Sequence, residues 1–263
     1  MARVSDLSNL PKALVTGGVH GLGHALVQQL LSRGYQVHVV DYDANGLQNL
    51  RDTASGNVVT YQLDLSDITN LKGEISNLVK QGPFDIVVLN AGISATGKFE
   101  KIPIEAHQKV LAVNLTAPML LANGLAKEGM SSKSSLVFIS SLSYAVGYPG
   151  AASYAASKDA LAIYAKSIAK PFAKIGIAVT CVFPGPVRTG HAEKYSPKGS
   201  SDKNRVAPEK LALGILKAAQ AKKRTYYPGA AAKISRVIGW IAPGFITSKM
   251  RSLIFEKLDG EVF

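Results

Sequence analysis

The chain has a single cysteine, Cys181, which excludes an intramolecular disulfide framework and a cysteine-built zinc cage. Cys181 lies in the apolar run Ile177–Phe183, the setting of a buried structural thiol rather than a nucleophile. Acids are scarce: 18 Asp and Glu stand against 30 Lys and Arg, a formal charge of +12. Such an excess attracts anionic partners, whether nucleic acid, anionic lipid or a phosphorylated cofactor or substrate. No zinc finger, basic zipper or RNA-binding aromatic signature accompanies it, so nucleic acid is not an expected partner. The N-terminus lacks a basic segment leading into a signal-peptide core, and no apolar run reaches the roughly 20 residues that span a bilayer. The expectation is a cytoplasmic protein, with peripheral membrane contact left open by the charge. No metal site is expected.

What is present is material for a large core, with 47% apolar and 18% charged residues. Short runs rich in Val, Ile or Leu recur at Lys12–Thr16, Gln36–Asp41, Val58–Gln62, Asp85–Leu89, Ser135–Ser140, Ile177–Phe183 and Thr225–Tyr227. Amphipathic stretches alternate with them at His20–Arg33, Asp67–Lys80, Ile104–Lys127, Ser153–Lys174 and Pro208–Ala221. This rhythm predicts an α/β Rossmann fold, a doubly wound seven-stranded parallel sheet with helices on both faces, in one domain over residues 1–263. Two regions break the rhythm. Residues 190–205 are polar and read as a mobile substrate loop, and 228–263 read as a basic amphipathic tail. In the tail Ile234, Val237, Ile238 and Ile241 fall at helical spacing before Pro243 and Gly244 interrupt.

After the first strand comes Thr16-Gly17-Gly18-Val19-His20-Gly21-Leu22-Gly23, and then a helix. A glycine-rich strand-to-helix turn lets backbone N–H groups approach a pyrophosphate at the positive end of the helix. Asp41 ends the second strand, about 20 residues on, where a carboxylate binds ribose hydroxyls and repels a 2′-phosphate. Asp41 favours NAD(H), with NADP(H) as the alternative. Asp43 could share the role, while His20 and the basic surface pull toward a phosphate.

Tyr154 and Lys158 stand four apart, on one face of a helix, and Ser141 lies thirteen residues upstream at the end of an apolar strand. These features resemble the short-chain dehydrogenase/reductase family from about Lys12 to Thr189. The matching motifs are the Thr16–Gly23 turn, Asp64-Leu65, Asn90-Ala91-Gly92, Asn114, Ser141, Tyr154 with Lys158, and Pro184-Gly185 through Val187 to Thr189. The resemblance implies an oxidoreductase that interconverts a secondary alcohol and a ketone. Tyr154 is then the acid/base, Ser141 the hydrogen-bond partner of the reacting oxygen, and Asn114 the holder of a water behind Lys158. Asp64, Leu65, Asn90, Ala91 and Gly92 line the cofactor site, Lys158 holds the nicotinamide ribose, and Pro184, Gly185, Val187 and Thr189 position the carboxamide. A Lys158 ammonium beside the phenol, together with the positive nicotinamide ring of the oxidised cofactor, is expected to lower its pKa.

Ser140 and Ser143 fit the spacing less well than Ser141, and Tyr144, Tyr148 and Tyr164 lack a lysine partner. His191 stands beside the loop as a residue that could meet substrate. Phe183, Tyr144, Val146 and Tyr148 form a candidate apolar pocket wall, which hints at a lipid-like substrate. Trp240, Phe245 and Ile246 with Lys222, Lys223, Arg224, Arg236, Lys249 and Arg251 suit a tail helix lying on anionic lipid, the alternative being a tail packed across the crevice or a subunit interface. The resemblance further implies a homodimer or homotetramer formed through the two long helices. A non-catalytic NAD(P)-binding sensor or scaffold of the same fold is the competing reading, and a non-redox step on a nucleotide sugar a third.

Overall fold

The computed structural model describes residues 10–54, 57–145, 147–196, 205–258 and 260–263. Seven strands are present: β1 Lys12–Thr16, β2 Gln36–Asp41, β3 Val58–Gln62, β4 Phe84–Leu89, β5 Met130–Ile139, β6 Ala178–Val182 and β7 Thr225–Tyr226. They form one parallel sheet in the order β3-β2-β1-β4-β5-β6-β7. The helices are α1 Gly21–Leu31, α2 Ala44–Thr53, α3 Ile68–Gln81, α4 Ile104–Leu111, α5 Ala117–Glu128, α6 Ala152–Lys174, α7 Gly190–Lys194, α8 Pro208–Gln220, α9 Gly229–Ile241 and α10 Pro243–Leu253.

The strands alternate their side chains between two cores, as a period of two requires. Ala13, Val15, Ile86 and Val88 face α1 and α8, where they meet Leu26, Leu30, Ile215 and Leu216. Leu14, Val87, Leu89 and Phe138 face the other way, against Leu121 and Leu125 of α5 and Leu161 of α6. Helices therefore cover both faces, which is the expected doubly wound Rossmann architecture.

The elements differ from the sequence reading in several places. α2 was not anticipated, because Asn45-Gly46 reads as a turn; Asp43 caps it by accepting from the N–H groups of Asn45 and Gly46, and Leu47 and Leu50 bury its inner face. The stretch expected as a mobile loop opens with α7, whose N–H at Ala192 is capped by Thr189; residues 197–204 of that loop lie outside the described part. Pro243 interrupts the tail helix as expected, since α9 ends at Ile241, and it also starts α10, a position where its missing N–H costs nothing. Helical structure runs from Ile104 to Glu128, long and apolar enough to cross a membrane, contrary to the expectation of no such stretch. Within it α5 buries Ala117, Leu121, Ala122 and Leu125 completely in the core.

Candidate active site

The strand order reverses between β1 and β4, and there the loops leaving the two strands diverge and open a crevice. The β1 turn needs its glycines for contact as well as conformation. Gly17 and Gly21 take φ of +64° and +49°. A Cβ on Gly17 would stand 2.9 Å from the Ala91 Cα, and one on Gly23 only 1.8 Å from the Gly17 carbonyl oxygen. Gly21 sits so close to Thr189 that a Cβ would meet its Cγ2 at 2.9 Å. The turn, the β4 loop and the β6 loop therefore form one cradle. Thr16 and Asn90, which lies half-buried beside the crevice, tie it together: Thr16 Oγ1 accepts from the N–H groups of Asn90 and Ala91 at 3.0 and 3.1 Å, and Asn90 Nδ2 donates to the Thr16 and Gly17 carbonyls at 3.0 Å each. Thr16 was not singled out from sequence.

Asp41 is buried at the end of β2, where its carboxylate accepts from the Val19 and Asp43 N–H groups at 3.2 Å each. It thus ties the glycine turn to the end of β2. Outside it, His20 Nε2 pairs with Asp43 Oδ2 at 2.7 Å. The Gly46 N–H first, and His20 second, hold the Asp43 carboxyl below its usual range. Asp64 is exposed and engages Ser66, whereas the Leu65 and Val19 side chains pack into the cores and leave only backbone toward the crevice. Leu22 is half-buried against the second core.

The other side of the crevice holds Ser141, Tyr154 and Lys158. Tyr154 and Lys158 share the inner face of α6, with Lys158 Nζ 5.8 Å from the Tyr154 ring centroid. The Ser141 hydroxyl lies near enough to the Tyr154 phenol to favour its ionised form. Lys158 is buried and donates to the Ile139 carbonyl at 2.8 Å, while Ser140 Oγ donates to the Lys158 carbonyl at 2.8 Å. Burial pulls the Lys158 ammonium down to about 8. Burial also raises the Tyr154 phenol above its ordinary value, and the Ser141 hydroxyl only opposes this. Desolvation, not the lysine charge, sets the direction of that shift.

Asn114 is wholly buried in a π-helical turn, Ala112–Thr116, between α4 and α5. Its side chain accepts from the Ile93 N–H and donates to the Ile93 carbonyl, both at 2.9 Å, and donates to Ser157 Oγ at 3.0 Å. Ser157 donates on to the Tyr154 carbonyl at 2.7 Å. Ser157 escaped the sequence reading; its only signal was a polar residue on the inner face of a helix between the tyrosine and the lysine. Gly92 faces the same space: a Cβ there would stand 3.2 Å from Lys158 Nζ and 3.4 Å from Asn114 Oδ1.

Beyond β6, Pro184 accepts from the Leu142 N–H at 3.0 Å, Gly185 lies beside Leu142, and Val187 bridges to Val206. His191 stands over the site with its ring centroid 6.3 Å from that of Tyr154. Desolvation by its neighbours first, and the Lys158 and Lys194 charges after it, lower its imidazole, although the residue as a whole is exposed. A cleft of about 460 Å³ opens next to the Ser141 loop, lined by Tyr144, Tyr148, Ala152, Pro243 and Thr247 among others. Phe183, expected in its wall, is buried instead, stacked on Tyr227 at 4.6 Å. Val146 lies outside the described residues.

Residues 11–199 match the family model for short chain dehydrogenase. The chain belongs to the short-chain dehydrogenase/reductase family. It is an oxidoreductase of that family with a nicotinamide dinucleotide site. It is 30% identical to a 3-oxoacyl-[acyl-carrier-protein] reductase of Salmonella typhimurium over 67% of this chain and 73% of that one. A Mycobacterium bovis protein of the same description is 28% identical over 87% of this chain and 84% of its own. Among solved structures, 4-hydroxyisoleucine dehydrogenase complexed with NADH superposes with TM-score 0.73 at 28% identity, covering 82% of this chain and 94% of that one. A short-chain dehydrogenase from Sphingobium yanoikuyae in complex with NADPH, at 22% identity, shares the fold with TM-score 0.75 over 90% of this chain and 96% of its own.

Proposed function

We propose that this protein interconverts a secondary alcohol and a ketone, working as a reductase of an apolar, lipid-like carbonyl at neutral pH. The observation that carries the reading is the convergence of Ser141, Tyr154 and Lys158 on one side of a crevice whose other side is a glycine cradle. A reduced nicotinamide bound there supplies the hydride. Tyr154, held protonated by burial, donates the proton to the carbonyl oxygen as that oxygen gains charge. Ser141 donates a hydrogen bond to the same oxygen. Lys158 favours the phenolate left behind and holds the nicotinamide ribose, and a water in the space beside Gly92, between Lys158 Nζ and Asn114, returns the proton from solvent. Pro184, Gly185, Val187 and Thr189 would hold the carboxamide of that cofactor.

The cofactor in this reading is NAD(H). Asp41 and Asp43 place two carboxylates at the ribose end, and His20 is already engaged by Asp43, so a 2′-phosphate meets net repulsion. An apolar ketone fits the Tyr144 and Tyr148 wall of the cleft, and a 3-oxoacyl chain, the substrate named for the similar reductases, is the first class to assay. A homodimer through α4, α5 and α6 is part of the proposal, supported by Ile104, Leu111 and Ile163, which expose 69, 40 and 57% of their surface. The protein is placed in the cytoplasm, touching membrane only peripherally through its tail.

The test is oxidation of NADH and NADPH by the purified protein against ketones graded from short diketones to long 3-oxoacyl thioesters. NADH-dependent turnover rising with chain length is expected. Turnover confined to short polar ketones contradicts the substrate class, and preference for NADPH contradicts the role given to Asp41.

A further inference from the structure

The tail helix α9 is built inside out. It packs on the Leu142–Ala145 segment beside Ser141, and among the described residues those it buries are small, Ala232 and Gly239. At 100° per residue these two share one side of the helix, and Ile234, Val237, Ile238 and Ile241 fill an arc about 100° wide on the opposite side. All four are exposed, by 56, 54, 41 and 68%. Phe245, 60% exposed in α10, continues the apolar series. A helix that only roofed the crevice would turn its large apolar side chains inward.

Cations border this stripe. Lys249 Nζ lies 5.3 Å from the Phe245 ring centroid, and the exposed Lys233 precedes Ile234. From Gly229 to Leu253 the sequence has four Lys and Arg and no Asp or Glu. Arg251 has a partner, Glu256, at 3.0 Å. Lys222, Lys223 and Arg224 precede β7, at the edge of the sheet away from the crevice, and are not part of the stripe.

We propose that this face docks on an anionic lipid bilayer. Apolar side chains at the acyl boundary with lysines among the headgroups are what such a surface binds. A second copy is a poorer occupant, because a two-fold contact sets the same acid-free, cationic patch against itself. α10 joins the two functions: its Phe245 faces outward, while Pro243 and Thr247 line the cleft next to the Ser141 loop. Docking therefore holds the cleft at the lipid surface, and an apolar ketone enters from the bilayer; this last step rests on the lipid-like substrate proposed above.

Sedimentation of the full chain with phosphatidylcholine vesicles, and with vesicles containing phosphatidylglycerol, tests the docking without any turnover. At low salt the anionic vesicles should bind the protein at least about tenfold better. The double substitution Ile238→Asp, Ile241→Asp should abolish that binding while NADH affinity and Tm stay unchanged. No sedimentation at low salt, or equal sedimentation of the variant, overturns the proposal. So does a variant whose only change is a smaller mass in solution, which would make the stripe a subunit contact. Vesicle binding without turnover on any ketone would refute the substrate reading alone, and turnover on dispersed long-chain ketones without vesicle binding would refute the docking alone.

Discussion

At the scale of single residues, the site works through one buried phenol and the groups that set its charge. Tyr154→Phe keeps the ring and its packing but removes the proton donor, so kcat should fall by about 10²–10⁴-fold while NADH affinity, read by fluorescence, stays the same. Lys158 titrates at about 8 because burial disfavours its charged form. Ketone reduction that needs the ammonium should therefore decline as pH rises through about 8, and a flat profile from pH 7 to 10 would contradict that role. Gly92→Ala puts a methyl 3.2 Å from Lys158 Nζ and into the space assigned to water. It should lower kcat by about tenfold or more with little change in Tm, and a fully active variant would place the proton path elsewhere. Asp41→Asn keeps an acceptor for the Val19 N–H but removes the charge, so kcat/KM with NADPH relative to NADH should rise by about tenfold or more.

At the scale of elements, the site is a set of strand ends held by short loops, and much of that was readable. Tyr154 and Lys158 on one turn of α6, Ser141 after β5 and the glycines after β1 all follow from helical spacing and from the need for backbone to approach backbone closely. Other features left little trace. α2 was hidden because Asn45-Gly46 is turn chemistry locally, and only the Asp43 cap and the burial of Leu47 and Leu50 favour a helix. Ser157 and Thr16 matter through hydrogen bonds to elements far away in sequence, which no local pattern reports. The pKa of Tyr154 needed the burial of the site, since a lysine four residues away argues for the opposite shift.

At the scale of the whole molecule, the tail closes one side of the crevice and the C-terminus returns to it. Thr96, just past the β4 loop, pairs with Val262 through two 2.8 Å bonds, which tie that loop to the last residues described. The sheet also carries a pH liability. His38 is buried in β2 against Tyr61, and desolvation first, Lys12 second, hold its imidazole down to about 4. An unfolded histidine takes its proton near 6.5, so the folded state should lose up to about 3 kcal/mol as pH falls from 6.5 to 4, and none above 6.5. Urea midpoints across that range check it: His38→Gln should flatten the slope, and an unchanged slope would assign the loss to other groups.

The central claim is that the crevice reduces a ketone with Tyr154 as proton donor, and one paired measurement tests it most directly. Turnover of a long-chain 3-oxoacyl thioester with NADH is followed for the native chain and for Tyr154→Phe, with NADH affinity measured in the same samples. The account predicts turnover in the native chain, its near-complete loss in the variant, and equal NADH affinity in both. Equal turnover in the two, or tight NADH binding with no turnover in either on any ketone, would contradict it.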